Sequence, residues 1–239
     1  MNLVIDHGNT RGKAALFNGT TLHAKTFFGS IPELKTWLAS NTIEHLIISS
    51  VKTSAEELLA GIAANGISLQ LTSATPLPIT IRYQTPHTLG VDRIAAACGA
   101  VQLFPHLPVL AIDAGTCVNY EFTDADGNYY GGAISPGLRM RFESVHHFTA
   151  RLPRVEPKEN PPLIGMSTEE CIQSGIGIGL IEEINGVIGR YLAKYPDLRV
   201  VLCGGDVAFF ENYVKPPIFV APDLVLQGLN GILQHNVKK

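Results

Sequence analysis

The chain has 239 residues, a formal net charge of −3, and 46% hydrophobic against 16% charged residues. This composition is typical of a globular protein with a sizeable core, and the small net charge gives no general attraction to nucleic acid or anionic lipid. The longest apolar run is five residues, at 94–98, far below the roughly 18 needed to cross a bilayer. No leader pattern opens the chain, so the sequence predicts a cytoplasmic protein.

The first half of the chain predicts a strand meander followed by alternating helices and strands. Short β-prone runs end at glycine-rich or polar turns, and the helical segments begin with proline or serine. The predicted elements are strands at 2–5, 13–17 and 22–28, a helix at 32–40, a buried strand at 46–50, and helices at 54–65, capped by Ser54, and at 91–104.

The second half repeats this pattern of strands followed by helices. Residues 124–128 form a strong hairpin turn signal between two strands, and the four prolines within 152–162 predict an ordered excursion or a flexible flap. Alternating strands and helices predict an α/β fold with mixed sheets. The predicted elements are strands at 116–122 and 129–134, a helix at 168–194, a strand at 199–203, a turn at 204–206, a strand at 218–221 and a helix at 223–235.

Three other features favour ordinary structural roles. Four cysteines stand far apart without a C-x-x-C pair, so we expect buried thiols in a reducing compartment. His146 and His147 are adjacent and would point apart on a helix, which argues against a metal pair. The glycines at 175–179 lie within a helical pattern and predict close helix packing. The cysteines are Cys98, Cys117, Cys171 and Cys203.

An apolar strand that runs into Asp-x-Gly occurs twice, at Asp6 and again at Asp113. A strand that ends in a carboxylate and turns on glycine can bring backbone N–H groups and a metal-binding oxygen against a polyphosphate. Either motif alone is equally well an ordinary turn. Their repetition predicts two related lobes, at 1–107 and 108–239, with a phosphate-binding cleft between them.

The polar loop at 83–93 runs into an alanine-rich helix and leaves two interpretations open. Asp92 could complete the helix N-terminus while Arg93 forms a surface ion pair. Alternatively, Asp92 is a carboxylate base beside an alcohol and Arg93 anchors an anion, as transfer of a phosphoryl group to a hydroxyl requires.

Two glycine loops are weaker signals. The loop at 131–137 could line a small-molecule pocket, although such glycine and proline–glycine pairs are common in ordinary turns. The turn at 204–206 either approaches a nucleotide or simply begins a helix.

Taken together, these residues resemble the type III pantothenate kinases, which belong to the superfamily of sugar kinases, heat-shock ATPases and actin. The resemblance spans nearly the whole chain and keeps the family order of motifs. The matching motifs are D-x-G-N-T-x-x-K at 6–13, Y-x-x-P-x-x-x-G-x-D-R at 83–93, D-x-G-T at 113–116, G-G-x-I-x-P-G at 131–137 and T-x-x-x-I-x-x-G-I at 168–176.

The resemblance implies ATP-dependent phosphorylation of pantothenate to 4′-phosphopantothenate, the first step of coenzyme A biosynthesis. The implied fold is an actin-like, ribonuclease H-like duplication with mixed sheets, flanking helices and a central cleft. The implied cofactors are ATP with Mg²⁺ or another divalent cation, and a monovalent cation, K⁺ or NH₄⁺. The family is dimeric, so a homodimer with a substrate pocket near the subunit interface is expected, without nucleic acid or membrane partners.

The resemblance also assigns roles to individual residues. Asp92 would be the proton acceptor and Asp113 the ligand of the monovalent cation, while Asp6 could hold the divalent cation. The implied ATP contacts are Asp6, His7, Gly8, Asn9, Thr10, Arg11, Gly12, Lys13 and Thr116, and the implied pantothenate contacts are Tyr83, Gly90, Val91, Asp92, Arg93 and Thr168.

Two alternatives remain open at this point. The chain could be a non-catalytic, nucleotide-binding regulatory or accessory protein of the same fold. It could also be a kinase of another small alcohol, with Tyr83, Arg93 and Thr168 setting the acceptor. No Walker A pattern occurs, so a P-loop kinase is not a serious rival.

Overall fold

The computed structural model describes residues 1–8, 12–50, 62–215 and 217–238. The chain divides into two compact units, each formed by more than one stretch of sequence. The first comprises Met1–His106, Thr123–Gly131 and Asp223–Lys239, and the second Leu107–Phe122 and Gly132–Pro222. The predicted lobe boundary at residue 107 stays a prediction.

Eleven strands and six α-helices are described. The strands are β1 (Asn2–His7), β2 (Gly12–Asn18), β3 (Thr21–Phe28), β4 (His45–Ser50), β5 (Ser68–Gln70), β6 (Thr80–Ile81), β7 (Val109–Ala114), β8 (Cys117–Thr123), β9 (Asn128–Pro136), β10 (Arg199–Cys203) and β11 (Ile218–Val220). The helices are α1 (Ile31–Leu38), α2 (Val91–Leu103), α3 (Leu138–His147), α4 (Thr168–Lys194), α5 (Val207–Phe210) and α6 (Leu224–Val237), with a 3₁₀ turn at Pro86–Thr88.

The two sheets repeat one strand order. The first sheet runs β3-β2-β1-β4-β5, and the second runs β9-β8-β7-β10-β11 with β6 added beside β9. In each, the strand that ends in aspartate lies in the middle, and the next two strands on one side are parallel to it. The mixed α/β class and the duplication predicted from the sequence are confirmed.

Alternation along the strands separates two apolar faces of the first sheet. Leu3 and Ile5 point to the side that packs on α1, in a cluster that includes Leu34 of that helix. Val4 and Ile47 point to the other side, where α2 and α6 cover the sheet. Because successive strand residues face opposite ways, residues 6, 13 and 49 lie on the side of α2 and α6.

Most predicted elements are present within a few residues of their predicted bounds. The helix predicted at 54–65 is the exception, since 54–61 lie outside the described residues and 62–65 are not helical. The sequence did not predict β5 or β6. For α3 and α5 it indicated only where a helix could begin, after Pro136 near Gly137 and after the turn at 204–206. Among the described helices, none combines the length and the apolar character that crossing a bilayer would take.

The predicted burial of the cysteines is only partly correct. Cys98 and Cys203 are buried, and burial raises the pKa of the Cys98 thiol. Cys117 is half-buried, whereas Cys171 is exposed. The prediction was wrong for Cys171 because this residue lies on the open side of α4.

Helices α2 and α6 cross where both carry glycine. A Cβ atom on Gly228 would lie 1.9 Å from the Ala95 carbonyl oxygen and 2.8 Å from the Gly99 nitrogen. A Cβ on Gly99 would likewise lie 2.5 Å from the Leu224 carbonyl oxygen. The two backbones therefore touch, and this contact fixes α2 and its N-terminal turn against α6.

We predict that Gly228→Ala lowers the free energy of unfolding by about 3 kcal/mol, because the added methyl group forces two backbones apart. Gly231→Ala on the same helix is the matched control. Its Cβ would meet only the movable end of Gln102, so the better helix propensity of alanine should leave stability unchanged or raised by up to about 1 kcal/mol. Urea denaturation of both variants measures this difference, and equal losses would contradict the proposed contact.

Candidate functional site

Two stacked rings lie at the end of β1, beside Asp6. The His7 ring lies 5.9 Å from the Phe28 ring at an interplanar angle of 16°. Phe28 reaches His7 across Gly12, where a Cβ atom would lie 2.3 Å from the Phe28 ring. Gly12 therefore provides room for the aromatic ring, and His7 is held at the end of β1.

Asp6 and Lys13 lie opposite each other on β1 and β2. Cross-strand partners share a face of the sheet, so the predicted carboxylate and ammonium groups point to the same side. Of the other predicted ATP contacts here, Gly8 follows β1 directly. Asn9, Thr10 and Arg11 lie outside the described residues.

The predicted substrate loop brings Tyr83 and Arg93 together. The Arg93 guanidinium carbon lies 5.6 Å from the centroid of the Tyr83 ring. Gly131, whose φ is +92°, lies close to the same ring, since a Cβ there would be 2.6 Å from it. Arg93 is only 8% exposed, so it is buried and does not lie at the surface as the first interpretation expected.

Asp92 is oriented by the first turn of α2. Its Oδ1 atom accepts a hydrogen bond of 2.9 Å from the Arg93 backbone N–H. A Cβ on the preceding Gly90 would lie 2.5 Å from the same oxygen. The absence of a side chain at Gly90 thus lets the carboxylate fold over the helix N-terminus, where a negative group is favourable.

The second aspartate turn is enclosed by backbone from two other loops. A Cβ on Gly137 would lie 2.1 Å from the Gly115 carbonyl oxygen, and the Gly137 N–H donates to the Thr116 carbonyl at 3.1 Å. On the other side, a Cβ on Gly204 would lie 2.4 Å from Asp113 Oδ1. The φ of Gly204 is +101°, which favours glycine. The segment predicted as a loop at 131–137 is instead the end of β9 followed by Gly137. Gly137 and the predicted turn at 204–206 both contact the turn at 113–116.

Asp206 joins this arrangement through its backbone. Its N–H donates to the Ala114 carbonyl at 2.9 Å, while its side chain makes no cap hydrogen bond to the helix it precedes. Burial raises the pKa of the Asp206 carboxyl, and the positive charge of Arg139 opposes this shift. The partly desolvated carboxyl group of Asp206 therefore follows Gly204 by two positions in the sequence.

An arginine that sequence reasoning missed anchors the segment at 131–137. Arg141 Nε donates to the Pro136 carbonyl at 2.8 Å, and its Nη2 donates to Ser135 Oγ at 2.7 Å and to Glu183 Oε2 at 2.5 Å. Tyr120 donates its hydroxyl to the other Glu183 oxygen at 3.3 Å. Burial, followed by the negative charge of Glu183, raises the pKa of Tyr120. This network ties the segment before Gly137 to α4.

Thr168 is the first residue of α4, within the second unit. It lines an open surface depression of about 610 Å³ whose other walls include Met166 and Cys171. Ser167 caps the helix, since its side-chain oxygen accepts a hydrogen bond from the Glu170 N–H at 3.2 Å. The predicted contact residue is thus exposed and held at a capped helix start.

The predicted site residues are distributed over both units. Asp6, Lys13, Tyr83, Asp92 and Arg93 belong to the first unit. Asp113, Thr116 and Thr168 belong to the second. Among the described residues, no group of three or more histidine, cysteine or acidic side chains is placed to hold a metal ion by itself.

Comparison with known proteins identifies the family. The family model described as type III pantothenate kinase matches residues 2–190. The chain belongs to this family. A type III pantothenate kinase from Christiangramia forsetii is 44% identical over 99% of both chains. One from Bacteroides fragilis is 43% identical over 99% of this chain and 98% of its own.

Solved structures share the fold at low sequence identity. A Baf family protein from Campylobacter jejuni superposes with a TM-score of 0.65 at 19% identity, covering 99% of this chain and 100% of its own. An inorganic polyphosphate/ATP-glucomannokinase from an Arthrobacter strain gives 0.53 at 12%, covering 100% and 99%. These likenesses indicate the fold of sugar kinases and actin-like ATPases.

We predict that Asp206→Asn removes a pH dependence of stability. Burial raises the pKa of the Asp206 carboxyl in the folded state. At pH values between the ordinary aspartate pKa and this raised pKa, the folded protein therefore binds more protons than the unfolded chain. The free energy of unfolding consequently falls as pH rises through that range. Relative to the variant, the wild type should therefore lose stability from about pH 4 upward until the carboxyl is ionised in both states. Denaturation of both proteins between pH 3 and 7 measures the difference. A wild type that gains stability with pH relative to the variant would show that Arg139 dominates instead.

Proposed function

We propose that this protein transfers the γ-phosphoryl group of ATP to the primary hydroxyl of pantothenate, giving 4′-phosphopantothenate in the first step of coenzyme A biosynthesis. The observation that carries the proposal is full-length similarity, at 40–44% identity, to proteins named type III pantothenate kinase. The placement of Asp92 and Arg93 supports it on independent, physical grounds.

Asp92 is the proposed proton acceptor. A hydroxyl that attacks a phosphoryl group needs alignment and a nearby base, and one oriented carboxylate supplies both. The Arg93 N–H fixes Oδ1 at 2.9 Å, so the orientation of the whole carboxylate is set before any substrate binds. Capping and catalysis are therefore compatible in one side chain.

Arg93 is the proposed anchor for the pantothenate carboxylate. Its guanidinium lies over the Tyr83 ring, and a guanidinium group can bind a carboxylate through paired hydrogen bonds. Tyr83, Gly90 and Val91 would form the surrounding contacts, with Thr168 as a further contact. The acceptor would thus be recognised by charge at one end while its hydroxyl meets Asp92.

The ATP phosphates and cations are assigned to the two aspartate turns. Asp6, Lys13 and Thr116 offer a carboxylate, an ammonium and a hydroxyl, and residues 7–12 complete the proposed ATP segment. Asp113 is half-buried, and its Oδ1 atom and the Ala114 carbonyl oxygen both lie beside Gly204; carboxylate and carbonyl oxygens are ligands that hard cations prefer. When bound, these cations would neutralise the charge that develops on the transferred group. We assign the monovalent cation to Asp113 and the divalent cation to Asp6.

We further propose a homodimer formed along α4. One face of this helix is exposed, and four glycines on it, at 175, 179, 186 and 189, have nothing within 4 Å of an added Cβ. The sequence predicts close helix packing for the glycines at 175–179. Within the described chain only Gly177 among them has neighbours, so the packing of Gly175 and Gly179 stays a prediction. Met166, just before the helix, is 90% exposed. A face without side chains allows close approach of a second helix, and exposed apolar residues mark such surfaces.

We predict phosphorylation of pantothenate by the purified protein with ATP and Mg²⁺ when K⁺ is present, and much less when Na⁺ replaces it. Formation of 4′-phosphopantothenate is measured directly by mass spectrometry, since ADP release alone would not identify the acceptor. Glycerol and glucose serve as alternative acceptors. ATP binding without transfer to any of them would favour a non-catalytic accessory protein, and transfer to another alcohol would identify a different kinase.

Asp92→Asn is the matched variant for that assay, because asparagine keeps an oxygen to accept from the Arg93 N–H and removes only the basic carboxylate. Turnover should fall by about 10²- to 10⁴-fold, with ATP affinity unchanged. Near-normal turnover would remove Asp92 from the base role.

We predict that Gly179→Leu weakens the dimer without weakening the fold. The new side chain meets open space within one chain and improves helix propensity by up to about 1 kcal/mol, but it would lie between the paired helices. Light scattering after gel filtration measures the mass, against 25.8 kDa for one chain. Lys35→Leu, on the exposed side of α1, is the control for added apolar surface. A wild-type monomer, or a variant that dimerises normally, would contradict this interface.

A further inference from the structure

Ser49 is buried beside the first aspartate without a partner for its hydroxyl. It lies directly opposite Asp6 in the parallel register of β1 and β4. Its relative exposure is 0%, and its Oγ has no hydrogen-bond partner in the part of the chain that the structure describes. Buried hydroxyls are almost always hydrogen-bonded, so this exception requires an explanation.

The surroundings of Ser49 would suit an apolar side chain. The residue two positions earlier on the same face, Ile47, is fully buried, as is Val4 on the neighbouring strand. Leu71, just after β5, belongs to the same apolar cluster. Packing alone therefore favours valine or alanine here, and the hydroxyl makes burial less favourable.

Asp6 is the polar residue that the register places beside this hydroxyl. Both side chains leave the sheet on the side of α2 and α6, since Asp6 follows Val4 and Ser49 follows Ile47 by two residues. Directly opposite residues on one face have Cβ atoms about 5 Å apart, so rotation about χ1 can bring Oγ within hydrogen-bonding reach of the carboxylate. Asp6 is partly exposed whereas Ser49 is not, so a bound ligand would contact Asp6 and would not contact the serine.

The second sheet has an equivalent position that can be compared with Ser49. In the second sheet the residue opposite Asp113 is Cys203, which is also buried. There the aspartate turn is already enclosed by Gly137 and Gly204. At the first turn a hydroxyl, which is a stronger donor than a thiol, occupies the equivalent place.

We propose that Ser49 is a positioning residue that donates a hydrogen bond to the Asp6 carboxylate when Mg²⁺–ATP binds. This inference rests on the proposed kinase function and on the assignment of the divalent cation to Asp6. The hydroxyl would hold one carboxylate oxygen in place while the other faces the cation or its bound water. Stabilisation of the hydroxyl is thereby coupled to ligand binding.

The test compares Ser49→Ala with the wild type in two states. Without ligand, the variant should have an equal or higher Tm, because a methyl group replaces an unpaired hydroxyl. With ATP and Mg²⁺, its affinity should fall roughly tenfold or more, the effect expected for a hydrogen bond to a charged group. The half-saturating Mg²⁺ concentration should rise in parallel, while the KM for pantothenate stays unchanged. Calorimetric titration measures the affinities.

Thr123→Val is the matched control. Thr123 is 1% exposed, and its Oγ1 also has no partner among the described residues. It lies at the end of β8 away from Thr116, roughly 20 Å along the strand. This variant should leave Mg²⁺–ATP affinity at the wild-type value. Ser49→Cys, which keeps volume and a weak donor, should give an intermediate affinity and covers the case in which alanine impairs folding.

The outcomes separate the two proposals. If the wild type does not bind Mg²⁺–ATP, the proposed function fails. If it binds and both Ser49 variants bind equally well, the positioning role alone is overturned. A lower Tm of Ser49→Ala without ligand, together with unchanged Mg²⁺ dependence, would show that the serine is purely structural and would also overturn it.

Discussion

Main chain packed directly on main chain fixes the Asp113 turn. Gly137 lies against the carbonyls of residues 115 and 116, and Gly204 lies against the carbonyl of Ala114 and a carboxylate oxygen of Asp113. A side chain at either glycine would overlap atoms that cannot move independently. The Asp113 carboxylate therefore lies against main chain whose position is fixed by close packing, and electrostatic catalysis requires this kind of preorganisation.

Asp6 occupies the same place in its sheet as Asp113 but has different neighbours. Both sheets place the aspartate strand in the middle of the same order, and at the end of β1 the His7 and Phe28 rings stack over Gly12. Ser49 lies opposite Asp6, whereas Cys203 lies opposite Asp113. The duplication thus preserves topology, while the residues beside each aspartate differ.

Sequence patterns predicted the elements whose signals are local. Helix α4 begins and ends as predicted, because a serine cap precedes it and apolar residues recur at helical spacing through 27 residues. For helix α3 the sequence indicated the start, near Gly137, but not the extent, since only Leu138 and Phe142 of its ten residues are buried and the apolar periodicity is weak.

The missed contacts of the site are those made over long sequence separations. Arg141 meets Glu183 from 42 positions away, and no pattern in the chain signals that pair. The spacing of the glycines of α4 shows that a face lacks side chains, but not whether the neighbour belongs to the same chain. Gly204 was recognised as a turn residue, whereas its contact with the Asp113 turn depends on the pairing of β7 with β10.

A buried arginine suits an acceptor that carries its own negative charge. Arg93 is only 8% exposed, and removing a guanidinium from water is costly unless its charge is met. The Tyr83 ring face meets part of that charge. A site built around a buried charge discriminates strongly against molecules that lack the complementary group. Glycerol and neutral sugars carry a hydroxyl but no carboxylate, whereas pantothenate supplies both in one molecule. With Arg93 as the proposed anchor, the site would therefore distinguish pantothenate from the other alcohols that a kinase of this fold could phosphorylate.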